Sequence, residues 1–254
     1  MAEHLNYAVA GPESSPALLL VHGFLSSNAQ WLLNLERLAA SFRVVTAELW
    51  GHGNSPVPDA SAFTIDRYMT EFNHIRQELG ISQWAVGGQS YAAGLAVRYA
   101  IAFPGHSIGV VTTNSRSAFG APILRPRAGT RRKAADGVNT YRNRHIPVHP
   151  AHAKRLPAGI RERLVEAADS VLPETLEQSS LLAPDLNAMD LLDLVSVPMM
   201  LANGRFERGF QDAAAQVRER APHVEVIDMD GGHAVNIDAA EYFDKTVTAF
   251  LAKL

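Results

Sequence analysis

A serine set between an apolar strand and a helix of small residues constrains this chain more than any other feature. Trp84-Ala85-Val86-Gly87 reads as a buried strand, Gly88-Gln89-Ser90-Tyr91-Ala92 as a tight turn, and Ala92 to Ala100 as a helix with little side-chain bulk. A strand that passes at once into a helix forces the residue between them onto a sharp bend. Its neighbours two positions before and two after must then be small to avoid collision. Gly88 and Ala92 meet that demand, and Gly94 adds room. Gly-x-Ser alone is a common pattern, ordinarily explained by a serine capping a helix. Strand, turn and helix in immediate succession are a stronger signal.

The rest of the chain supplies a sheet for that strand to join. Apolar runs of strand length recur at Ala17 to Val21, Phe42 to Ala47, Trp84 to Gly87, Ser107 to Thr113, Val197 to Ala202 and Val224 to Met229. They are rich in Val, Ile and Leu and lack period-two alternation, as strands covered on both faces require. Helical patterns fit between them at Ser27 to Ala40, Ile65 to Leu79, Tyr91 to Phe103, Gly209 to Arg220 and Ala239 to Leu251. Gly80 and Pro104-Gly105 supply stops. The expected class is α/β, a mostly parallel central sheet flanked by helices. With 254 residues, 47% of them hydrophobic, one large core needs no staples.

One segment breaks the rhythm. From Ala118 to Asp193, Pro, Gly and charged residues interrupt weak helical patterns. The expected division is therefore a core of residues 1–117 and 194–254 with a helical lid, or cap, inserted at 118–193. Between Gly120 and Val165 stand eleven cations (Arg125, Arg127, Arg131, Arg132, Lys133, Arg142, Arg144, Lys154, Arg155, Arg161, Arg163) against Asp136 and Glu162. That stretch carries +9, so the remainder carries -12 beneath a net charge of -3.

The turn around Ser90 reads as a nucleophile elbow. Upstream, the strand Ala17 to Val21 runs into His22-Gly23-Phe24 and places a backbone N–H at the carboxyl end of a neighbouring strand. Acyl transfer puts charge on the carbonyl oxygen, and a preorganised donor there contributes roughly 3 to 4 kcal/mol. The amides of Phe24 and Tyr91 are the expected oxyanion-hole donors.

Taken together, His22-Gly23-Phe24, Gly51-His52-Gly53-Asn54-Ser55, Gly88-Gln89-Ser90-Tyr91-Ala92 and Gly231-Gly232-His233 resemble the α/β-hydrolase superfamily. The likeness covers most of the chain except the insertion. It is nearest the compact bacterial group of esterases, enol-lactonases, carbon-carbon bond hydrolases and MenH-like lyases, although Ala92 stands where that family usually has glycine. The resemblance implies the chain order serine, acid, histidine, with the base in the loop after the last strand, which is where His233 lies. It implies an acid after the preceding strand. Asn203-Gly204-Arg205-Phe206-Glu207 resembles that turn with glutamate in place of the usual aspartate, which makes Glu207 the expected acid and Asp212 the reserve. Asp228 and Asp230 belong to the strand end before His233.

The expected activity is hydrolysis of a carboxylic ester, lactone or thioester of a small substrate, an anionic one included, through an acyl-enzyme on Ser90. The alternative is a carbon-carbon bond hydrolase or MenH-like lyase using the same triad. Many MenH-like proteins carry an arginine after the elbow glycines, and here Gly94 is followed by Leu95. Asn114 and Arg116, just past the strand Ser107 to Thr113, are substrate-pocket candidates, and cations of the insertion could select an anionic group. No metal or cofactor is expected. Thiolate sites are excluded by the absence of cysteine, and Pro147 and Pro150 deny His145, His149 and His152 a common helical face. His22 and His52 are expected to be structural hydrogen-bonders. A pI near 6.4 gives no basic field for nucleic acid. The first residues lack a basic segment followed by an apolar core, and no run of roughly 18 apolar residues is present, so the expected partner is a small-molecule substrate, neither nucleic acid nor membrane, and the expected location is cytoplasmic. Sequence order carries no signal for the oligomeric state.

Overall fold

In the computed structural model, which describes residues 3–122, 143–146, 148–153 and 155–254, seven strands form one sheet. They are β1 (Tyr7–Ala10), β2 (Ala17–Val21), β3 (Arg43–Ala47), β4 (Trp84–Gly88), β5 (Ser107–Thr113), β6 (Met199–Gly204) and β7 (Val224–Met229). Their spatial order is β1-β3-β2-β4-β5-β6-β7. Every neighbouring pair is parallel except β1 with β3. The helices are α1 (Leu35–Ala39), α2 (Ile65–Glu78), α3 (Tyr91–Ala102), α4 (Arg116–Phe119), α5 (Ala158–Ser170), α6 (Pro173–Leu182), α7 (Gln211–Arg220), α8 (Val235–Asp238) and α9 (Ala240–Leu251).

Successive residues of a strand point to opposite faces, and both faces here are covered. Leu19, Val21, Val45 and Val86 join a cluster with Phe72 of α2 and Leu95 of α3. Leu18, Leu20, Val44 and Ala85 join a second with Leu38 of α1 and Phe243 of α9. The unbroken run Ala17–Val21 is accordingly buried at every position. Because the strands run parallel, the residues that follow β2, β4, β5, β6 and β7 gather at one edge of the sheet. That edge is where open α/β sheets bind ligands.

Three expectations change in detail. The four-residue β1 pairs only with β3 at the sheet edge and has no apolar run to announce it. The helix expected over Ser27 to Ala40 is instead a 3₁₀ turn, Asn28–Trp31, followed by the short α1. The cause is a buried polar cluster: Asn34 Nδ2 donates to Asn236 O at 2.8 Å and to Asp244 Oδ1 at 2.7 Å, and Gln30 Nε2 donates to Asn236 Oδ1 at 2.9 Å. The strand expected at Val197 begins at Met199, after Pro198.

Between β5 and β6 the described chain is helical, with α5 and α6 its longest elements. Residues 123–142, 147 and 154 lie outside the described residues, and with them Arg125, Arg127, Arg131, Arg132, Lys133, Arg142 and Lys154. The described part is tied to the core. Tyr91 Oη donates to Ser179 O of α6 at 3.1 Å, and Arg98 donates to Asp185 O and Asn187 O at 2.6 and 2.9 Å. Among the described residues no helix is long and apolar enough to cross a membrane.

Candidate active site

Ser90 sits between β4 and α3 with φ 51° and ψ -113°, a conformation side chains rarely adopt. Backbone bonds hold it there. Gln89 N donates to Val21 O at 3.0 Å, Ala92 N to Gln89 O at 3.0 Å and Ala93 N to Ser90 O at 2.9 Å. Strain of this kind costs of order 1–3 kcal/mol and persists only where surrounding structure over-determines it. A Cβ at Gly88 would lie 2.2 Å from Ala92 O, so the small residue read from the sequence is required by the first turn of α3.

The loop after β2 presses on the serine. A Cβ at Gly23 would stand 2.9 Å from Ser90 Cβ and 2.1 Å from Gln89 Oε1. Two buried histidines shape this loop. His22 Nδ1 donates to Gly23 O at 2.7 Å while its Nε2 accepts from Leu49 N at 3.1 Å. His52 Nδ1 donates to Trp50 O at 2.9 Å while its Nε2 accepts from Leu25 N at 3.4 Å. Leu25 itself has φ 56°. Both rings use one nitrogen as donor and the other as acceptor, so both are neutral. Burial pushes His22 down to about 4, and burial with the neighbouring His22 pushes His52 down to about 3.

His233, in the loop after β7, meets Ser90 directly. Its Nε2 lies 2.9 Å from Ser90 Oγ, and its Nδ1 lies 3.0 and 3.1 Å from Glu207 Oε1 and Oε2. A carboxylate on Nδ1 keeps that nitrogen protonated, which leaves Nε2 to accept the serine proton. Burial alone would raise the Glu207 carboxyl. The hydrogen bond and charge of His233, a bond from Asn114 and the charge of Arg116 outweigh it and hold the group below the usual carboxylate range. The serine, histidine and glutamate singled out from the sequence therefore form one continuous chain of hydrogen bonds.

Phe24 and Tyr91 stand next to the serine, whereas Asn114 and Arg116 do not line the cavity. Tyr91 opens α3, where the amide has no intrahelical partner, and Phe24 follows Gly23 beside it, their rings 6.1 Å apart. Asn114 does not line the cavity. It is fully buried, donates to Glu207 Oε2 at 2.8 Å and to Gly204 O at 3.0 Å, and accepts from Gly204 N at 2.8 Å. Arg116 is exposed, does not line the cavity either, and reaches the site only through its charge on Glu207. Asp212, the reserve acid, begins α7 while Glu207 takes the histidine; Asp228 pairs with Arg218 at 2.5 Å. Sequence reasoning missed Gln89, whose Nε2 donates to His233 O at 3.4 Å, and Asp238, which accepts from Gly232 N at 2.7 Å. Asp238 is six residues beyond Gly232, and no pattern in the sequence sets it apart.

A cavity of about 380 Å³ opens beside the triad, within the usual range for small-molecule sites. Its lining includes Gln89, Glu207 and His233 from the core and Val148, Arg155 and Leu156 from the insertion. His149, also in the lining, is held by Asp169 Oδ1 at 3.1 Å from its Nε2. Among the described residues no three His, Asp or Glu side chains are grouped so as to hold a metal.

Comparison with known proteins bears on the family and the fold. The carboxylesterase YbfK of Bacillus subtilis is 22% identical over 254 residues, covering 95% of this chain and 82% of that protein. An uncharacterized hydrolase of Saccharomyces cerevisiae is 28% identical over 111 residues, covering 44% of this chain and 38% of that protein. Among solved structures, the enol-lactonase of Burkholderia xenovorans superposes with a TM-score of 0.72 at 22% identity, over 98% of this chain and 96% of that one. A bromoperoxidase of Bacillus anthracis does so with 0.76 at 17% identity, over 98% and 95%. The family described as alpha/beta hydrolase fold matches residues 16–240. With that match running from β2 into the last helix and the elbow, acid and histidine in chain order along it, the chain belongs to the alpha/beta hydrolase family.

Proposed function

We propose that the protein is a serine hydrolase that cleaves a carboxylic ester, lactone or thioester of a small substrate through an acyl-enzyme on Ser90. The observation that carries this reading is the unbroken line from Ser90 Oγ through His233 to Glu207, at 2.9 and 3.0 Å. His233 takes the serine proton as Oγ attacks the carbonyl carbon. The amides of Phe24 and Tyr91 receive the developing oxyanion, and His233 then gives its proton to the leaving group. Water, deprotonated by the same nitrogen, releases the acid. Glu207 orients the imidazole and stabilises it once it is charged. The described part of the 118–193 segment, which contributes Val148, Arg155 and Leu156 to the cavity lining, serves as its lid.

The chemistry uses no metal and no cofactor. Turnover of p-nitrophenyl acetate and butyrate tests the reading. Release of p-nitrophenol, reduced at least about thousandfold in Ser90→Ala and His233→Ala, is the expected result. Turnover that survives in Ser90→Ala contradicts it.

A further inference from the structure

We propose that Arg155 is the anion-binding residue of the cavity and that the substrate carries a carboxylate, an inference that rests on the hydrolase reading and narrows it to a substrate class. Arg155 lines the cavity together with Glu207 and His233. Its guanidinium carbon lies 4.2 Å from the centroid of the Phe206 ring, the residue immediately before Glu207. Arg205 also approaches that ring, at 5.5 Å, but its charge is met by Asp230 at 2.6 Å. No described carboxylate pairs with Arg155.

The acids of the cavity wall are committed elsewhere: Glu207 accepts from Asn114 and the His233 ring, and Asp238 accepts from Gly232 N. Contact with an aromatic ring uses the face of a guanidinium and leaves the N–H groups along its edge to bind a carboxylate two at a time. The cation is also anchored. Leu156, the next residue, is buried in a cluster with Leu164 of α5 and Ile237 of α8. A short anionic substrate thus has its charge held at Arg155 and its carbonyl beside His233, with the apolar Leu156 and Val148 also in the lining.

The test compares the wild type with Arg155→Gln in two measurements. Calorimetric titration of glutarate at fixed ionic strength needs no turnover; the wild type binds, and the variant binds at least tenfold more weakly. Turnover is then measured on two matched pairs. With the charge on the acyl side, the monoglutarate ester of p-nitrophenol is set against p-nitrophenyl pentanoate. With the charge on the alcohol side, the butyrate ester of 3-hydroxypropanoate is set against propyl butyrate. In at least one pair the wild type favours the anionic member tenfold or more in kcat/KM, and Arg155→Gln removes that preference. Glutarate affinity that is absent in the wild type or equal in the two proteins overturns the proposal, as does an unchanged preference in both pairs. If no ester is turned over, the hydrolase reading fails and the titration still decides the subsite.

Discussion

Asn114 donates its side-chain amide to Glu207 Oε2 at 2.8 Å from a fully buried position at the end of β5. The same side chain grips both backbone groups of Gly204, so the strand that delivers the acid and the acid itself are held by one residue. A hydrogen bond to a charged group contributes about 1.5 to 3 kcal/mol. Asn114→Ala should therefore lower kcat about tenfold to hundredfold with KM nearly unchanged, in steady-state assays on a protein whose thermal transition remains cooperative. A change confined to KM would show that Asn114 contacts substrate instead.

Glutamate rather than aspartate reaches His233 here, and the side-chain length matters. Glu207→Asp withdraws the carboxylate by about one bond length, and a misplacement of about 1 Å can cost on the order of a hundredfold. Glu207→Gln keeps the length but supplies an amide that permits the wrong imidazole tautomer, and about four orders of magnitude in kcat are expected to be lost. Single-turnover kinetics on both variants checks the order. Equal activity in Glu207→Gln and wild type would remove Glu207 from the mechanism.

Acid should destabilise this fold through two particular histidines. His22 and His52 are held neutral, with values pushed down to about 4 and about 3. In the unfolded chain each titrates near 6.5, so the stability they contribute is complete above that value. It is lost as the pH falls below it, because the unfolded state takes up protons that the folded state refuses. Between pH 7 and pH 5 the loss is about 2 kcal/mol per histidine. Urea unfolding across that range should show it, and His52→Gln should flatten the slope. An unchanged slope in that variant would assign the acid sensitivity to other groups.

Gly88 and Gly105 offer a matched pair of substitutions. A Cβ at Gly88 would lie 2.2 Å from Ala92 O, against backbone that cannot yield without moving α3, whereas one at Gly105 meets nothing within 4 Å. Gly88→Ala is expected to cost about 3 kcal/mol or to move Ser90 out of reach of His233, and Gly105→Ala less than about 1 kcal/mol. Denaturant midpoints compare the two. Equal midpoints with activity retained in Gly88→Ala would show that the elbow is looser than its geometry indicates.

Ser90 and Glu207 were legible because each follows a strand buried throughout, His233 because it follows the last strand pattern, and all three because the family resemblance implies their order along the chain. Local pattern failed where distant residues decide the outcome. The periodicity over Ser27 to Ala40 suits one helix, yet Asn34 is pulled into bonds with Asn236 and Asp244, some two hundred residues away. Asn114 was correctly located at the catalytic edge of the sheet, but its position there could not tell whether the side chain faced the cavity or the acid. Arg155 was one of eleven cations in a basic stretch. Among the described cations of that stretch, its place in the cavity lining, the packing of Leu156 and the nearness of Phe206 set it apart.

Reaction with a fluorophosphonate probe, read by intact mass and peptide mapping, tests the central claim most directly. A single adduct on Ser90, absent from Ser90→Ala and strongly slowed in His233→Ala, is the predicted result, because only an oxygen activated by the imidazole attacks the phosphorus at an appreciable rate. No adduct on the wild type, or one that persists in Ser90→Ala, would contradict the assignment of Ser90 as the nucleophile.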